Sequence, residues 1–253
     1  MSEKIDENKS TDSPLSDIPM AIGEHLNELR KLLIICLASI GIAAVVAYAA
    51  FGDQIMNFIT SPMRKLGLKL IFTSPFEAFF TQMEASFFVG FMVVLPIVLW
   101  QVWSFILPAL KIDELKVIGV LVPLSFILFM GGMAFAYFTV FQVAVEVLLI
   151  TLPGPGLEPM IKINEYFSFL FSFILPFGIT FEMPLIVYVL SKFGIINYKT
   201  LKTKRKYSIF IIFIASAVLT PGPDPLSQFL LAMPMMLLYE ISIWVAYHAR
   251  KKE

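Results

Sequence analysis

The sequence predicts an all-α integral membrane protein. Three observations lead there. Only 15% of the 253 residues are charged and 58% are hydrophobic, against about 25% charged in ordinary soluble domains. The charges are also segregated. Residues 32–52, 85–110, 117–145, 207–223 and 225–239 hold no Asp, Glu, Lys or Arg, and 166–191 holds one, Glu182. A hydrocarbon layer of about 30 Å takes about 20 apolar residues as helix, and a soluble core of this size has no room for so many unbroken apolar runs.

Residues 1–20 are polar and mixed in charge, without a basic start followed by an apolar stretch. They are expected to be a disordered cytoplasmic tail rather than a cleaved signal, and 21–253 to form one membrane domain. Six spans follow from the charge-free runs and the turn residues. The first covers about 31–51 and ends near Gly52-Asp53. The second covers about 83–107, before Pro108, and the third about 117–141. The fourth covers about 165–191. The fifth, about 207–219, ends at the breaker cluster Thr220 to Pro225, and the sixth covers about 226–247. Thirteen residues reach only about 20 Å, so the fifth span must thin the bilayer, shelter behind neighbours or recruit a partner helix. Pro96, Pro123, Pro176, Pro184 and Pro234 fall inside spans, where each removes a backbone hydrogen bond and kinks the helix. Tilted, kinked spans predict a concave bundle. The connections 52–82 and 142–164 are long enough for short helices capping the outer face.

Basic residues orient the chain. With the N-terminus inside, inner segments hold fifteen of the nineteen Lys and Arg, and outer segments hold Arg64, Lys65, Lys69 and Lys162. Both termini are therefore expected in the cytoplasm, and the run Lys199 to Lys206 reads as an orientation signal. Net charge is zero, which provides no argument for nucleic acid. Cys36 is the lone cysteine and is expected to pack as a small hydrophobe.

Two sets of residues carry chemistry. Charge inside a membrane is costly and points to function. Glu182 either carries a proton, faces a wet cavity, or is a neutral packing residue hydrogen-bonded to a neighbouring helix. Glu240 lies in the sixth span near its inner end, and Glu84 opens the second as an interfacial residue. The other set is acidic and lies at the inner surface. His25-Leu26-Asn27-Glu28-Leu29-Arg30 leads into span one, and Lys111-Ile112-Asp113-Glu114-Leu115-Lys116 links spans two and three. Carboxylates accept the forked guanidinium of arginine in paired hydrogen bonds, so two such sites on one surface suit two arginines; ordinary solvated loop charge is the alternative.

The motifs continue with Ser74-Pro75-Phe76-Glu77-Ala78-Phe79 and Gln101-Val102-Trp103-x-Phe105-x-x-Pro108-Ala109-Leu110. After these come Gly132-Met133-Ala134-Phe135-Ala136-Tyr137-Phe138, Phe177-Gly178-x-x-Phe181-Glu182-x-Pro184, and Leu219-Thr220-Pro221 with Asp224. In this order, on six spans, the chain resembles the TatC family, the multispanning core of the twin-arginine protein translocase. The resemblance implies a receptor for paired-arginine signal peptides of folded cargo, in a bacterial cytoplasmic (inner) membrane, working with the single-span subunits TatA and TatB and with further copies of itself. It implies export driven by the proton gradient, with no catalysis and no cofactor. Carried over by motif, Glu114 binds the arginine pair with help from Glu28, while Leu29, Arg30 and Phe105 shape the same surface. Asp113 shares the acidic position in a loop that is more basic in many members. Glu182 is then the intramembrane residue that meets TatA and TatB, and Thr220 and Gln228 form a polar edge for a second partner contact, with Gly222 an extra residue between them.

Competing readings are a proton- or ion-coupled small-molecule transporter with Glu182 and Glu240 as relay, and a membrane enzyme. No half-to-half repeat supports the first. No Ser/His pair, Asp pair or zinc-binding His motif supports the second.

Overall fold

The computed structural model describes residues 17–109, 115–151, 159–220 and 225–250. Helix α1 (Asp17–Ile59) is followed by a short α2 (Ser61–Lys65) and strand β1 (Leu70–Ile71). α3 (Glu77–Ala109) and α4 (Leu115–Phe135) are antiparallel neighbours across the connection that contains Asp113 and Glu114, two residues outside the described ones. α4 continues through a π-helical turn (Ala136–Val140) into α5 (Phe141–Glu146) and a second π-helical turn (Val147–Thr151). Strand β2 (Ile161–Lys162) precedes α6 (Ile163–Phe181), α7 (Met183–Lys192), α8 (Tyr198–Thr203), α9 (Arg205–Leu219) and α10 (Pro225–Arg250).

Five stretches among the described residues are long and apolar enough to cross a membrane: Asn27–Ile59, Glu77–Leu107, Val117–Thr151, Ile163–Lys192 and Pro225–Ala249. They match expected spans one to four and six, each extended beyond its sequence limits. The fifth expected span is α9. Its 15 residues reach about 22 Å, which is why it falls short of the length of the others. α1 begins at Asp17, inside the segment expected as a tail; residues 1–16 lie outside the described ones.

Apolar side chains point outward all along these helices. Val45 is 69% exposed and Val218 is 79% exposed, with Leu37, Val93 and Val120 similarly bare. Such a belt would aggregate in water, but it costs nothing against lipid tails. Helical backbone satisfies most of its own polar groups, as a hydrocarbon solvent demands. Inside, the fully buried rings of Phe141, Tyr166, Phe167, Phe173 and Phe177 form the centre where α4, α5 and α6 meet. Cys36 is buried, as expected of a small hydrophobe.

Two glycines set the closest helix approaches. A Cβ on Gly90 would lie 2.5 Å from the backbone N of Ala44, so α3 and α1 touch backbone to backbone there. One on Gly132 would lie 2.7 Å from the backbone O of Phe177, bringing α4 against α6 in the same way.

The end opposite the chain termini is a tied cap. β1 and β2 pair in parallel, with Leu70 opposite Ile161 and Ile71 opposite Lys162. Glu77 joins this cap to α3: its Oε2 accepts from the N–H of Thr73 at 2.7 Å and of Ser74 at 3.3 Å, and its Oε1 from the N–H of Asn164 at 3.5 Å. This gives the Ser74-to-Phe79 motif a structural role. The last carbonyls of α1 have no helical partner. Tyrosine hydroxyls supply the donors, Tyr137 to the Phe58 O at 2.8 Å and Tyr166 to the Ile59 O at 2.6 Å. Tyr166 is fully buried, so Tyr166→Phe strands a buried carbonyl. A loss of about 1–3 kcal/mol is expected, read as a lower thermal midpoint in detergent; an unchanged midpoint would show that the bond is dispensable.

Candidate functional site

The residues singled out from the sequence fall into three places. The first lies at the end of the bundle that carries the termini. Glu28, Lys31, Leu32 and Ile35 recur at helical spacing on one face of α1, and Gln101, Ser104 and Phe105 do the same on α3. Together they line an open cavity of roughly 290 Å³. The arrangement combines an acidic group, two polar groups and an aromatic ring beside apolar side chains, which suits a peptide that presents a cation next to an apolar stretch. Lys31 on the same wall offers the Glu28 carboxylate an internal competitor. Leu29 is half-buried and Arg30 exposed on adjoining positions of α1; neither lines the cavity. Asp113 and Glu114 lie outside the described residues, in the connection that starts a few residues beyond Phe105.

The second place is the break between α6 and α7. Pro184 sits in the first turn of α7 and has no N–H to give. The Glu182 N–H instead reaches the Ile179 O at 3.1 Å, a tighter turn than the helix before it. The break turns the Glu182 side chain onto α4. Ser125 Oγ donates to Glu182 Oε2 at 2.8 Å, and Trp103 Nε1 donates to Ser125 Oγ at 2.7 Å. Three helices thus contribute one hydrogen-bonded chain. Glu182 is 7% exposed. It is hydrogen-bonded to a neighbouring helix, as the packing alternative requires, yet its Oε1 is buried with no partner among the described residues. Leaving a buried acceptor unmet is costly, so packing alone does not account for this carboxyl. On the outward side of the same turn, Ile179 is 62% exposed and Met183 and Ile186 are also bare.

The third place is the edge between α9 and α10. Gln228 Nε2 donates to the Phe213 O at 3.0 Å, across from α10 to α9. Thr220 Oγ1 donates to the Ser216 O, and Ser216 Oγ to the Phe213 O at 2.9 Å. Thr220 and Gln228 are therefore brought together on one polar seam, and Ser216 joins them. The intervening residues 221–224, with Gly222 and Asp224, lie outside the described residues. Glu240 belongs to none of these places. It pairs with Arg205 at 2.7 Å, both side chains nearly half exposed, at the level where α9 begins.

Sequence reasoning missed Ser125, Trp103 and Ser216 as members of these networks. Trp103 and Ser125 stand 22 residues apart and Ser125 and Glu182 57 apart, distances no local pattern reveals. Ser216 did carry a signal, its place one helical turn before Thr220.

Comparison with known proteins gives a consistent result. Residues 24–234 match the family model of the Sec-independent protein translocase protein (TatC). The chain is 43% identical to the Sec-independent protein translocase protein TatC of Carboxydothermus hydrogenoformans over 94% of its length and 98% of that protein's. It is 37% identical to the protein of the same name from Escherichia coli K12, over 87% of this chain and 85% of that one. A crystal structure described as the twin arginine translocase receptor TatC superposes with a TM-score of 0.79 at 37% identity, covering 89% of this chain and 99% of the other.

Proposed function

Because this chain belongs to the TatC family of Sec-independent protein translocase proteins, we propose that it serves as the signal-peptide receptor and core subunit of a twin-arginine translocase, with the cavity between α1 and α3 as part of the docking site. The observation that carries this reading is the shared wall of Glu28, Gln101, Ser104 and Phe105, placed where the Asp113-Glu114 connection begins. The paired arginines of a signal peptide engage Glu28 and Glu114, with Asp113 beside it, and Leu29 and Arg30 shape the approach. Arginine forks suit carboxylates in a way lysine does not. The apolar stretch of the signal then follows the helices inward toward Glu182. The single-span subunits TatA and TatB, and further copies of this chain, meet Glu182 and the polar seam of Thr220 and Gln228. Glu240, paired with Arg205 where α9 begins, is a further partner contact away from that seam. The proton gradient drives the folded cargo across.

The orientation that places both termini in the cytoplasm of a bacterium, with this protein in the inner membrane, rests on the fifteen-to-four distribution of basic residues. The transporter alternative has no support in the family match, and Glu240 is engaged by Arg205 rather than aligned with Glu182.

A photo-crosslinker placed at position 114 or 105 in native membranes tests the reading. It should label a paired-arginine peptide strongly and a paired-lysine version weakly. Labelling no stronger than from position 69, at the opposite end of the bundle, would overturn the docking assignment.

A further inference from the structure

We propose that Ser125, oriented by Trp103, is a positioning residue that holds the Glu182 carboxyl so that Oε1 is presented to a hydrogen-bond donor arriving with a partner helix. The proposal rests on the reading that Glu182 meets partner subunits, and it adds how that residue is aimed and how it is linked to the peptide site.

A serine hydroxyl has one proton. Here that proton points at Glu182 Oε2, at 2.8 Å, because the lone-pair side of Ser125 Oγ is occupied by the indole N–H of Trp103 at 2.7 Å. The tryptophan therefore fixes the direction of the serine, and the serine fixes one oxygen of the carboxyl. Ser125 is fully buried and Trp103 nearly so, so neither bond competes with water. The other oxygen is left buried and unmet. A docking helix that covers the bare residues Ile179, Met183 and Ile186 would pack on the break that carries Glu182, and an amide or hydroxyl donor reaching Oε1 from that helix would remove the unmet acceptor.

The same relay runs to the peptide cavity. Trp103 lies in α3 between Gln101 and Ser104, both of which line the cavity together with Glu28. An occupant of that cavity would touch Gln101 and Ser104 on the helical turn that carries Trp103. The distance between the two sites is thus bridged by one turn of α3 and two hydrogen bonds.

The test uses the full chain with its partner subunits in membranes. It compares the unaltered protein with Ser125→Ala, Ser125→Thr, Trp103→Phe and Glu182→Ala. Two quantities are read: capture of a paired-arginine peptide, and peptide-stimulated crosslinking of a partner helix to position 179. Ser125→Ala is expected to leave capture within about twofold and to lower stimulated crosslinking about tenfold, the scale of one hydrogen bond to a carboxyl. Ser125→Thr keeps the hydroxyl and should restore it. Trp103→Phe keeps an aromatic ring, though a smaller one, and loses the N–H, so it should reproduce the deficit even if the alanine variant folds poorly. A purely structural bond would instead lower both readouts together. Normal stimulated crosslinking in Ser125→Ala and Trp103→Phe, with a loss in Glu182→Ala, would overturn the positioning role and leave the Glu182 reading intact. Normal crosslinking in Glu182→Ala would remove that reading itself.

Discussion

Alanine at both Glu28 and Glu114 is expected to abolish capture of twin-arginine peptides while the protein still accumulates in the membrane. Each carboxylate offers a charge-assisted hydrogen bond to a guanidinium, so each single change should weaken capture by about ten- to a hundredfold, and the pair by more than either. Glutamine variants separate charge from shape. They keep an acceptor oxygen but lose the charge, and should retain part of the affinity. Capture by the unaltered protein should also fall as salt rises, since Glu28 is exposed and exposed charge is screened. The salt slope should flatten in the double variant. Stability should change little, because Glu28 is exposed on α1. Equilibrium binding of a labelled peptide to the purified protein measures all of this. Undiminished capture by the double alanine variant would refute arginine docking on these carboxylates.

The second large effect is expected at Glu182. Glu182→Ala should leave peptide capture near normal and prevent productive assembly with the partner subunits, so that export of folded cargo fails. Interhelical hydrogen bonds within a membrane contribute about 1–2 kcal/mol, enough for about a tenfold loss of association from this contact alone. Stability should fall by no more than about 1–3 kcal/mol, because the substitution orphans the buried Ser125 hydroxyl while removing an acceptor that has no partner among the described residues. Assembly lost out of proportion to stability distinguishes a contact residue from a packing residue. Glu182→Gln is expected to be intermediate, since an amide keeps an acceptor oxygen in the same place. Export at the ordinary rate by the alanine variant would return Glu182 to the category of structural hydrogen bonds.

Much of this molecule is legible in its amino-acid order. The charge-free runs locate five long helices to within a turn or two at most ends, because hydrocarbon thickness imposes both a length and a composition on each. The third is the exception: it continues to Thr151 through two π-helical turns. Apolar character alone does not say where it stops. The short fifth helix is equally plain, since Lys206 and the Thr220-to-Pro225 cluster bound it on both sides. Glu182 stands out because it is the one charge in its span.

The company these residues keep is not legible there. Sequence places Glu182 at a depth; it does not reveal that the break before Pro184 turns the side chain onto α4, or that Ser125 and Trp103 already occupy one of its oxygens. It marks Glu240 as an acid in a span, while Arg205, 35 residues earlier, pairs with it. It marks Gly90 and Gly132 only as glycines, though their missing side chains let α3 meet α1 and α4 meet α6. The amino-acid order by itself determined which segments enter lipid and which acids are costly there, because those depend on one residue's transfer from water. The tertiary structure alone decided which oxygen of Glu182 is engaged and which is left unmet, because hydrogen bonds between helices depend on crossing geometry set by distant residues.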